Sequence, residues 1–272
     1  MFSNKKVFIT GGSSGIGKQL AADFLRRGAH VTIMSNDSTK LERARVELTA
    51  IAPSVCLFVC DVSDPNQVRS VATAYLAQFG PPDVLVSNAG YAIYRTFEEI
   101  PSEEITRLLA VNLVGACLIV REFLTSMLAS GRGDIVVVAS IAGCLVMTPC
   151  GVYSAAKHAL VAWAHTLKLE LHRAGIRVHV ICPGRVETEF FSDESFVRRL
   201  PRKEAQLTIP VLAVSRAVLT AIEKNRFMTY VPKSYGLLVW LVNAFPFIFG
   251  NLLDRLMLAR IDALCRVKED SG

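Results

Sequence analysis

The chain has 272 residues and a formal net charge of +6; 51% of its residues are hydrophobic and 20% charged. That balance excludes a disordered chain, and the length can bury a sizeable core without disulfide or metal staples. The charge surplus is modest, and no long Lys/Arg block or basic-aromatic interleaving accompanies it, which argues against nucleic acid as a partner; an anionic cofactor or an anionic membrane surface accounts for the same surplus.

The predicted elements alternate. Lys5 to Thr10 reads as a buried strand leading into a glycine-rich turn, and Lys18 to Arg27 as the helix after it. Ala29 to Met34 is a second apolar run, Lys40 to Ala50 a helix, Val55 to Cys60 a third strand, Asn66 to Gln78 a helix and Val84 to Ser87 a fourth strand. Ser102 to Met127 carries one long helical pattern or two joined ones. Asp134 to Ser140 is a strand, Tyr153 to His172 a helix and Arg177 to Cys182 a strand. Strands apolar on both faces and alternating with helices imply a parallel sheet covered on both sides, an α/β doubly wound, Rossmann-like single domain.

After Cys182 the rhythm changes. Residues 184–210 are polar and weakly periodic, with Arg198, Arg199, Arg202 and Lys203 clustered, and read as an insertion over a site. Val211 to Lys224 is helical again, and Phe227 to Val231 reads as a last strand. The reading divides the chain into a domain over 1–235 and an apolar or amphipathic C-terminal extension over 236–272. Within the extension, Gly236 to Gly250 carries no charge, is shorter than the ~20 apolar residues a bilayer span needs, and is interrupted by Pro246. Leu252 to Leu264 follows an amphipathic helical pattern that includes Asp254, Arg255, Arg260 and Asp262.

The seven cysteines show no Cys-x-x-Cys and no Cys/His cluster, so no metal site is expected, and the thiols are read as buried and reduced. The apolar run Val7 to Thr10 is too short for a signal core, and the active site is assigned to a reducing, cytosol-like compartment.

Thr10 to Gly17 reads T-G-G-S-S-G-I-G between strand and helix. Gly11, Gly15 and Gly17 allow a tight turn, a close approach to a pyrophosphate and close helix packing, and the helix N-terminus favours phosphate. The same residues also fit G-x-S-x-G, a hydrolase elbow with Ser13 as nucleophile and His158, His165, His172 or His179 as its base. That rival leaves Gly17, Tyr153 and Lys157 without a purpose. Tyr153 and Lys157 lie four apart and share one helix face. An ammonium beside a phenol is expected to lower its pKa, so that it exchanges a proton with a carbonyl oxygen. Ser140, at the end of the preceding strand, is placed to hold that oxygen.

At these residues the chain resembles the short-chain dehydrogenase/reductase family, from about Lys5 to Phe190. The glycine turn matches T-G-x-x-x-G-x-G. Ser87-Asn88-Ala89-Gly90 matches N-N-A-G with Ser for the first Asn, and Pro183-Gly184 with Val186 and Thr188 matches P-G-x-V-x-T. The resemblance implies hydride exchange between a nicotinamide cofactor and a carbonyl/alcohol pair, with Asn112, Ser140, Tyr153 and Lys157 as the catalytic set. It implies cofactor contacts at Gly11, Ser13, Ser14, Gly15, Ile16, Gly17, Ser35, Asn36, Lys40, Asp61, Val62, Asn88, Ala89, Gly90, Tyr153, Lys157, Pro183, Gly184, Val186 and Thr188. It also implies homodimers or homotetramers paired through the helices near Ser102 to Met127 and Tyr153 to His172.

Ser35 stands where an acidic residue would select NAD, so NADP is favoured and NAD stays possible; Asn36 replaces the usual arginine, Lys40 can reach a phosphate, and Asp37 lies nearby. The apolar tail is similar to that of membrane-associated lipid reductases of the family, such as 3-ketodihydrosphingosine reductases. It points to a long-chain ketone substrate and peripheral membrane contact. The alternatives are a soluble steroid, sugar or small-alcohol dehydrogenase, and a non-catalytic cofactor-binding scaffold or sensor.

Overall fold

The computed structural model describes residues 1–53, 55–188, 190 and 208–269, with side chains as far as Asp262. The basic cluster Arg198, Arg199, Arg202 and Lys203 lies outside the described residues.

Seven strands form one parallel sheet in the order β3-β2-β1-β4-β5-β6-β7. They are β1 (Lys6–Thr10), β2 (His30–Ser35), β3 (Val55–Val59), β4 (Val84–Ser87), β5 (Gly133–Val138), β6 (Ile176–Pro183) and β7 (Met228–Val231). The doubly wound expectation holds, and β7 is a true strand paired with β6. Side chains alternate across the pleat, so each strand feeds two cores. Val7 and Ile9 of β1, with Val84 and Val86 of β4, meet the helices α1 (Gly15–Arg26), α2 (Ser38–Thr49) and the late helix Val211–Glu223. Phe8 and Leu85, between them in sequence, face α3 (Pro65–Phe79) and the central helices on the other side. There Phe8, Tyr75 and Phe123 form a ring cluster with centroids 4.9 to 5.4 Å apart.

Helices α1 and α2 start earlier than periodicity suggests, because glycine and cap residues hide the first turn. Asp37 caps α2 by accepting from the Lys40 N–H at 2.9 Å, and Asp64 caps α3 ahead of Pro65. The long central pattern resolves into α4 (Ser102–Leu109), a π turn (Ala110–Val114) and α5 (Gly115–Ser130). That stretch is apolar because α5 covers the sheet. Next come α6 (Gly151–Glu170) and α7, the helix Val211–Glu223 named above.

The C-terminal arm is α8 (Ser234–Ala244), a π turn (Pro246–Gly250) and α9 (Asn251–Glu269), with a bend of 111° between the two helical parts. Pro246, lacking an N–H, sits at the break. The inner side of the arm packs back on the domain. Val239 is buried with Ile141 and Leu145, Leu253 joins them, and the Thr148 hydroxyl donates to the Met257 carbonyl at 3.1 Å. The outer side leaves Trp240, Phe247, Ile248, Leu252 and Leu256 exposed.

Asp134, at the start of β5, accepts both from Arg177 at 2.8 Å and from His179 Nε2 at 2.7 Å, while His179 Nδ1 meets the Arg226 carbonyl at 2.8 Å. His179 is fully buried and belongs to this strand-tying network. Breaking a buried charge network by removing one partner strands the others. Asp134→Ala is therefore expected to lower unfolding stability by about 3 kcal/mol in urea titration, with cofactor affinity unchanged because the network lies at the opposite end of the strands from the site.

Candidate active site

β1 and β4 are neighbours, whereas the chain leaves β1 for β2 on the other side. A crevice opens at the C-terminal ends of the strands where the order switches. Thr10 and Asn88 fix its floor. The Thr10 hydroxyl accepts from the Asn88 and Ala89 N–H groups at 2.9 and 3.0 Å, and the Asn88 amide donates to the Thr10 and Gly11 carbonyls at 3.1 and 3.2 Å. Asn88 and Ala89 supply these contacts, so Ser87 in place of asparagine costs them nothing; Ser87 is buried at the end of β4.

The glycine turn then passes over this floor. Gly11 and Gly15 have φ of +64° and +49°, and a Cβ on Gly17 would lie 2.1 Å from the Gly11 carbonyl oxygen. Ser14 occupies the N-cap of α1 without a side-chain cap bond, and no acidic residue follows in the first turn, so the helix N–H groups face the crevice.

A cavity of about 1040 Å³ fills the crevice. It gathers Ser13, Ser14, Gly15, Ile16, Ser35, Asn36, Lys40, Asp61, Val62, Ala89, Gly90, Ser140, Tyr153, Lys157, Pro183, Gly184, Val186 and Thr188, together with Gly11 and Asn88. Two expected residues stand behind its wall: Gly17 beneath the turn and Asn112 on the π turn. No histidine lines the cavity among the described residues, and the Ser13 hydroxyl is bonded to that of Ser35 at 2.9 Å, so the hydrolase reading has no base.

At the end of β2, the Ser35 hydroxyl also accepts from the Asp37 N–H at 3.4 Å, and the Asp37 carboxylate is engaged as the α2 cap. Asp61 accepts from the Ser63 N–H and hydroxyl and from Arg107 at 2.6 Å. Burial pushes its carboxyl up, but these hydrogen bonds and the guanidinium outweigh it and hold the group below the ordinary carboxylate value.

Ser140, Tyr153 and Lys157 converge where β5 ends and α6 begins. The Ser140 hydroxyl accepts from the Ala142 N–H at 3.1 Å and is near enough to the Tyr153 phenol to favour its ionised form. Lys157 Nζ lies 5.7 Å from the Tyr153 ring centroid and donates to the Val138 carbonyl at 3.2 Å. Burial pushes the Tyr153 phenol well above its ordinary value, with the Ser140 hydroxyl opposing it, and lowers the Lys157 ammonium to about 8. This corrects the expectation that Lys157 makes Tyr153 more acidic: in the free protein desolvation dominates both groups, and the lysine is not among the influences that lower the phenol. Asn112 is 1% exposed, and its amide donates to the Tyr91 and Leu108 carbonyls at 2.9 and 3.1 Å. Its Oδ1 has no partner and points at the space beside Gly90, where a Cβ would come within 2.6 Å of it and 3.6 Å of Lys157 Nζ.

The far end of the cavity is less polar, with Ile93, Tyr94, Met147 and Cys150, and Phe190 stacks edge-on to Tyr153 at 6.0 Å. The base of the 184–210 segment is tied by a bridge between Val186 and Ile209. Sequence reasoning missed Arg107 as the partner of Asp61, and missed Tyr235 and Arg260, which bring the C-terminal arm into the cavity wall. The arm's amphipathic period was the available signal for Arg260, since one face had to pack somewhere.

A family model described as short chain dehydrogenase matches residues 5–196. A 1-deoxy-11-beta-hydroxypentalenate dehydrogenase from Streptomyces exfoliatus is 36% identical over 66% of this chain, and the match spans 66% of that relative's own length. A 3-dehydrosphinganine reductase from Danio rerio is 30% identical over 85% of this chain and 72% of its own length. The structure of a short chain dehydrogenase/reductase from Burkholderia phymatum in complex with NAD superposes with a TM-score of 0.83 at 27% identity, covering 89% of this chain and 94% of that one. The order of glycine turn, Asn88, Ser140, Tyr153 and Lys157 around one crevice agrees with these matches, and the chain belongs to the short-chain dehydrogenase/reductase family of oxidoreductases acting on ketone/alcohol pairs.

Proposed function

We propose that the protein reduces a long-chain, lipid-type ketone with NADPH at a site next to a lipid surface. The observation that carries the substrate class is the arm. Its inner side supplies Tyr235 and Arg260 to the cavity wall, while its bend exposes Phe247 by 87% and Ile248 by 64%. An apolar elbow adjoining the cavity suits a substrate that slides from lipid into the site. The match to the 3-dehydrosphinganine reductase, longer than the family segment itself, supports the same reading. The domain then comprises 1–235, and the extension 236–272 adds the lipid contact. Leu128 and Leu169, exposed on α5 and α6, suit pairing between copies there. Six free cysteines among the described residues fit a compartment that keeps thiols reduced.

The residues present fit a nicotinamide dinucleotide. Gly11, Gly15 and Gly17 leave a cradle that side chains would fill, and the first turn of α1 offers uncapped N–H groups for a pyrophosphate. Ser13, Ser35, Asn36 and Lys40 line the adenosine end together with Asp37, whose carboxylate accepts from the Lys40 N–H; Ser35, in place of an acidic residue at the end of β2, favours the 2′-phosphate of NADP over NAD, which the site can also admit. NADPH, when bound, supplies the hydride.

The protein's own groups handle the proton. Ser140 holds the substrate oxygen and Tyr153 gives its proton to it. A phenol raised by burial stays protonated at neutral pH, as a donor in reduction must. Lys157 and the unpartnered Oδ1 of Asn112, both facing the space beside Gly90, hold the path along which the proton is replaced.

Tyr153→Phe is expected to lower kcat by roughly a thousandfold while NADPH affinity, read by fluorescence titration, stays the same; unchanged turnover overturns the assignment. Lys157 is charged below about 8 and neutral above it in the free protein, so kcat/KM for NADPH should fall as pH rises through that value, and Lys157→Gln should remove that limb. A panel of long-chain and short ketones, followed by NADPH absorbance, decides the substrate class, and reduction confined to the short ones rejects the lipid reading. Phe247→Asp with Ile248→Asp should reduce co-sedimentation with phosphatidylcholine/phosphatidylglycerol vesicles at least tenfold and leave the melting temperature unchanged, since both side chains are exposed. This substitution is a cleaner test than deleting the arm, whose inner face covers Ile141 and Leu145.

A further inference from the structure

Three sulfur atoms meet directly behind Ser140. Cys144 ends the short turn Ile141–Gly143 that follows Ser140, and Cys182 is the penultimate residue of β6. Their Sγ atoms are 3.7 Å apart, and Met228 Sδ lies 3.5 Å from Cys182 Sγ. Cys182 is fully buried; Cys144 is half-buried, in the cluster of Ile141, Leu145, Tyr230, Tyr235 and Val239. The backbone N–H of Ser140 is near enough to Cys182 to favour its thiolate. Among the described residues no other pair of thiols is hydrogen-bonded.

We propose that Cys144 and Cys182 are a reversible disulfide modification site, oxidised by a peroxide, whose closure displaces Ser140.

The two thiols are differentiated for this step. The contact with Cys182 favours the thiolate at Cys144 against the opposing effect of burial, while the same contact and burial raise Cys182. The more exposed sulfur is thus the one favoured toward the thiolate form that attack requires. Cys144 attacks the peroxide, the O–O bond breaks, and a sulfenic acid forms with release of water or an alcohol. The Cys182 sulfur then attacks the sulfenic sulfur; the S–S bond forms, the S–O bond breaks and a second water leaves with the Cys182 proton. Two thiols lose two electrons and the peroxide gains them. A dithiol reductant reverses the change.

A disulfide requires sulfurs about 2 Å apart, so the turn that carries Cys144 must close on β6. Ser140 is the residue from which that turn starts, and its hydroxyl is held by the Ala142 N–H beside the Tyr153 phenol. Displacement of a positioning group by about 1 Å lowers rates by roughly a hundredfold. The cross-link stands apart from the substrate reading; its effect on turnover rests on the role proposed for Ser140.

The full-length protein is incubated with hydrogen peroxide, free thiols are blocked with N-ethylmaleimide, and a non-reducing digest is mapped by mass spectrometry. The expected result is a peptide joining Cys144 to Cys182, with at least a tenfold fall in NADPH-dependent reduction of the most active ketone of the panel. Both changes should be reversed by dithiothreitol and absent in Cys144→Ser and in Cys144→Ala. Full alkylation of both thiols after peroxide, a cross-link with undiminished turnover, or equal peroxide sensitivity in the Cys144 variants overturns the proposal. A protein that reduces no ketone before oxidation rejects the substrate reading instead, and the mapped peptide still decides the modification.

Discussion

The hydrogen bonds between Thr10 and Asn88 are the constraint on which the site depends. They tie the end of β1 to the end of β4, the two strands between which the sheet changes its direction of winding. With that join fixed, the chain can leave β1 only over a backbone with no side chains in the way. Gly11 would press on Asn88 and Ala89 if it carried a Cβ, and Gly17 on Gly11 itself. The close approach brings the amino end of α1 over the crevice with its N–H groups unsatisfied. The anion-binding character of the site is therefore a consequence of strand order and steric clearance, before any charged side chain is considered.

The second constraint is burial. Tyr153 and Lys157 both lie in a setting where the charged form is penalised. Reasoning from i,i+4 spacing treats the pair as if it met in water, where an ammonium would acidify a phenol. Buried as they are, the Tyr153 ring beside Ala142 and Ala156, the two groups rest nearer to neutrality, and a protonated phenol beside Ser140 is the natural starting state for reduction. Asn112 belongs to the same design. Its amide is spent on two carbonyls and fixes the π turn, which leaves one oxygen, and one direction, open toward Lys157.

Much of this was legible in the sequence because the fold is encoded by short-range patterns. Strands of continuous apolar residues, helices between them, and glycines at the first turn are local signals, and they placed Gly11, Ser140, Tyr153 and Lys157 around one cavity. What was not legible depends on pairing across long separations. Arg107 on α4 neutralises Asp61 after β3, a contact between residues 46 apart. Thr148 bonds Met257 across 109 residues, and no periodicity announces it. The contact between Cys144 and Cys182 spans 38 residues and follows from β5 and β6 lying side by side; spacing alone gave no reason to couple those thiols.

The C-terminal arm is the place where composition and packing part company. If its apolar residues served only to attach it to the domain, they would lie on its inner face. Tyr235, Val239, Val242 and Leu253 do lie there and suffice to hold it against Ile141 and Leu145. Trp240, Phe247, Ile248, Leu252 and Leu256 stay exposed, Trp240 touching only the neighbouring Phe245 ring among the ring contacts of the described residues. Exposed apolar surface of this extent carries an aggregation hazard unless something covers it. Because the same arm carries Arg260 to the cavity, whatever covers the elbow sits beside the route a substrate takes to Tyr153. Surface attachment and substrate choice are thereby joined in one element, and altering one without the other requires changes confined to the outer face.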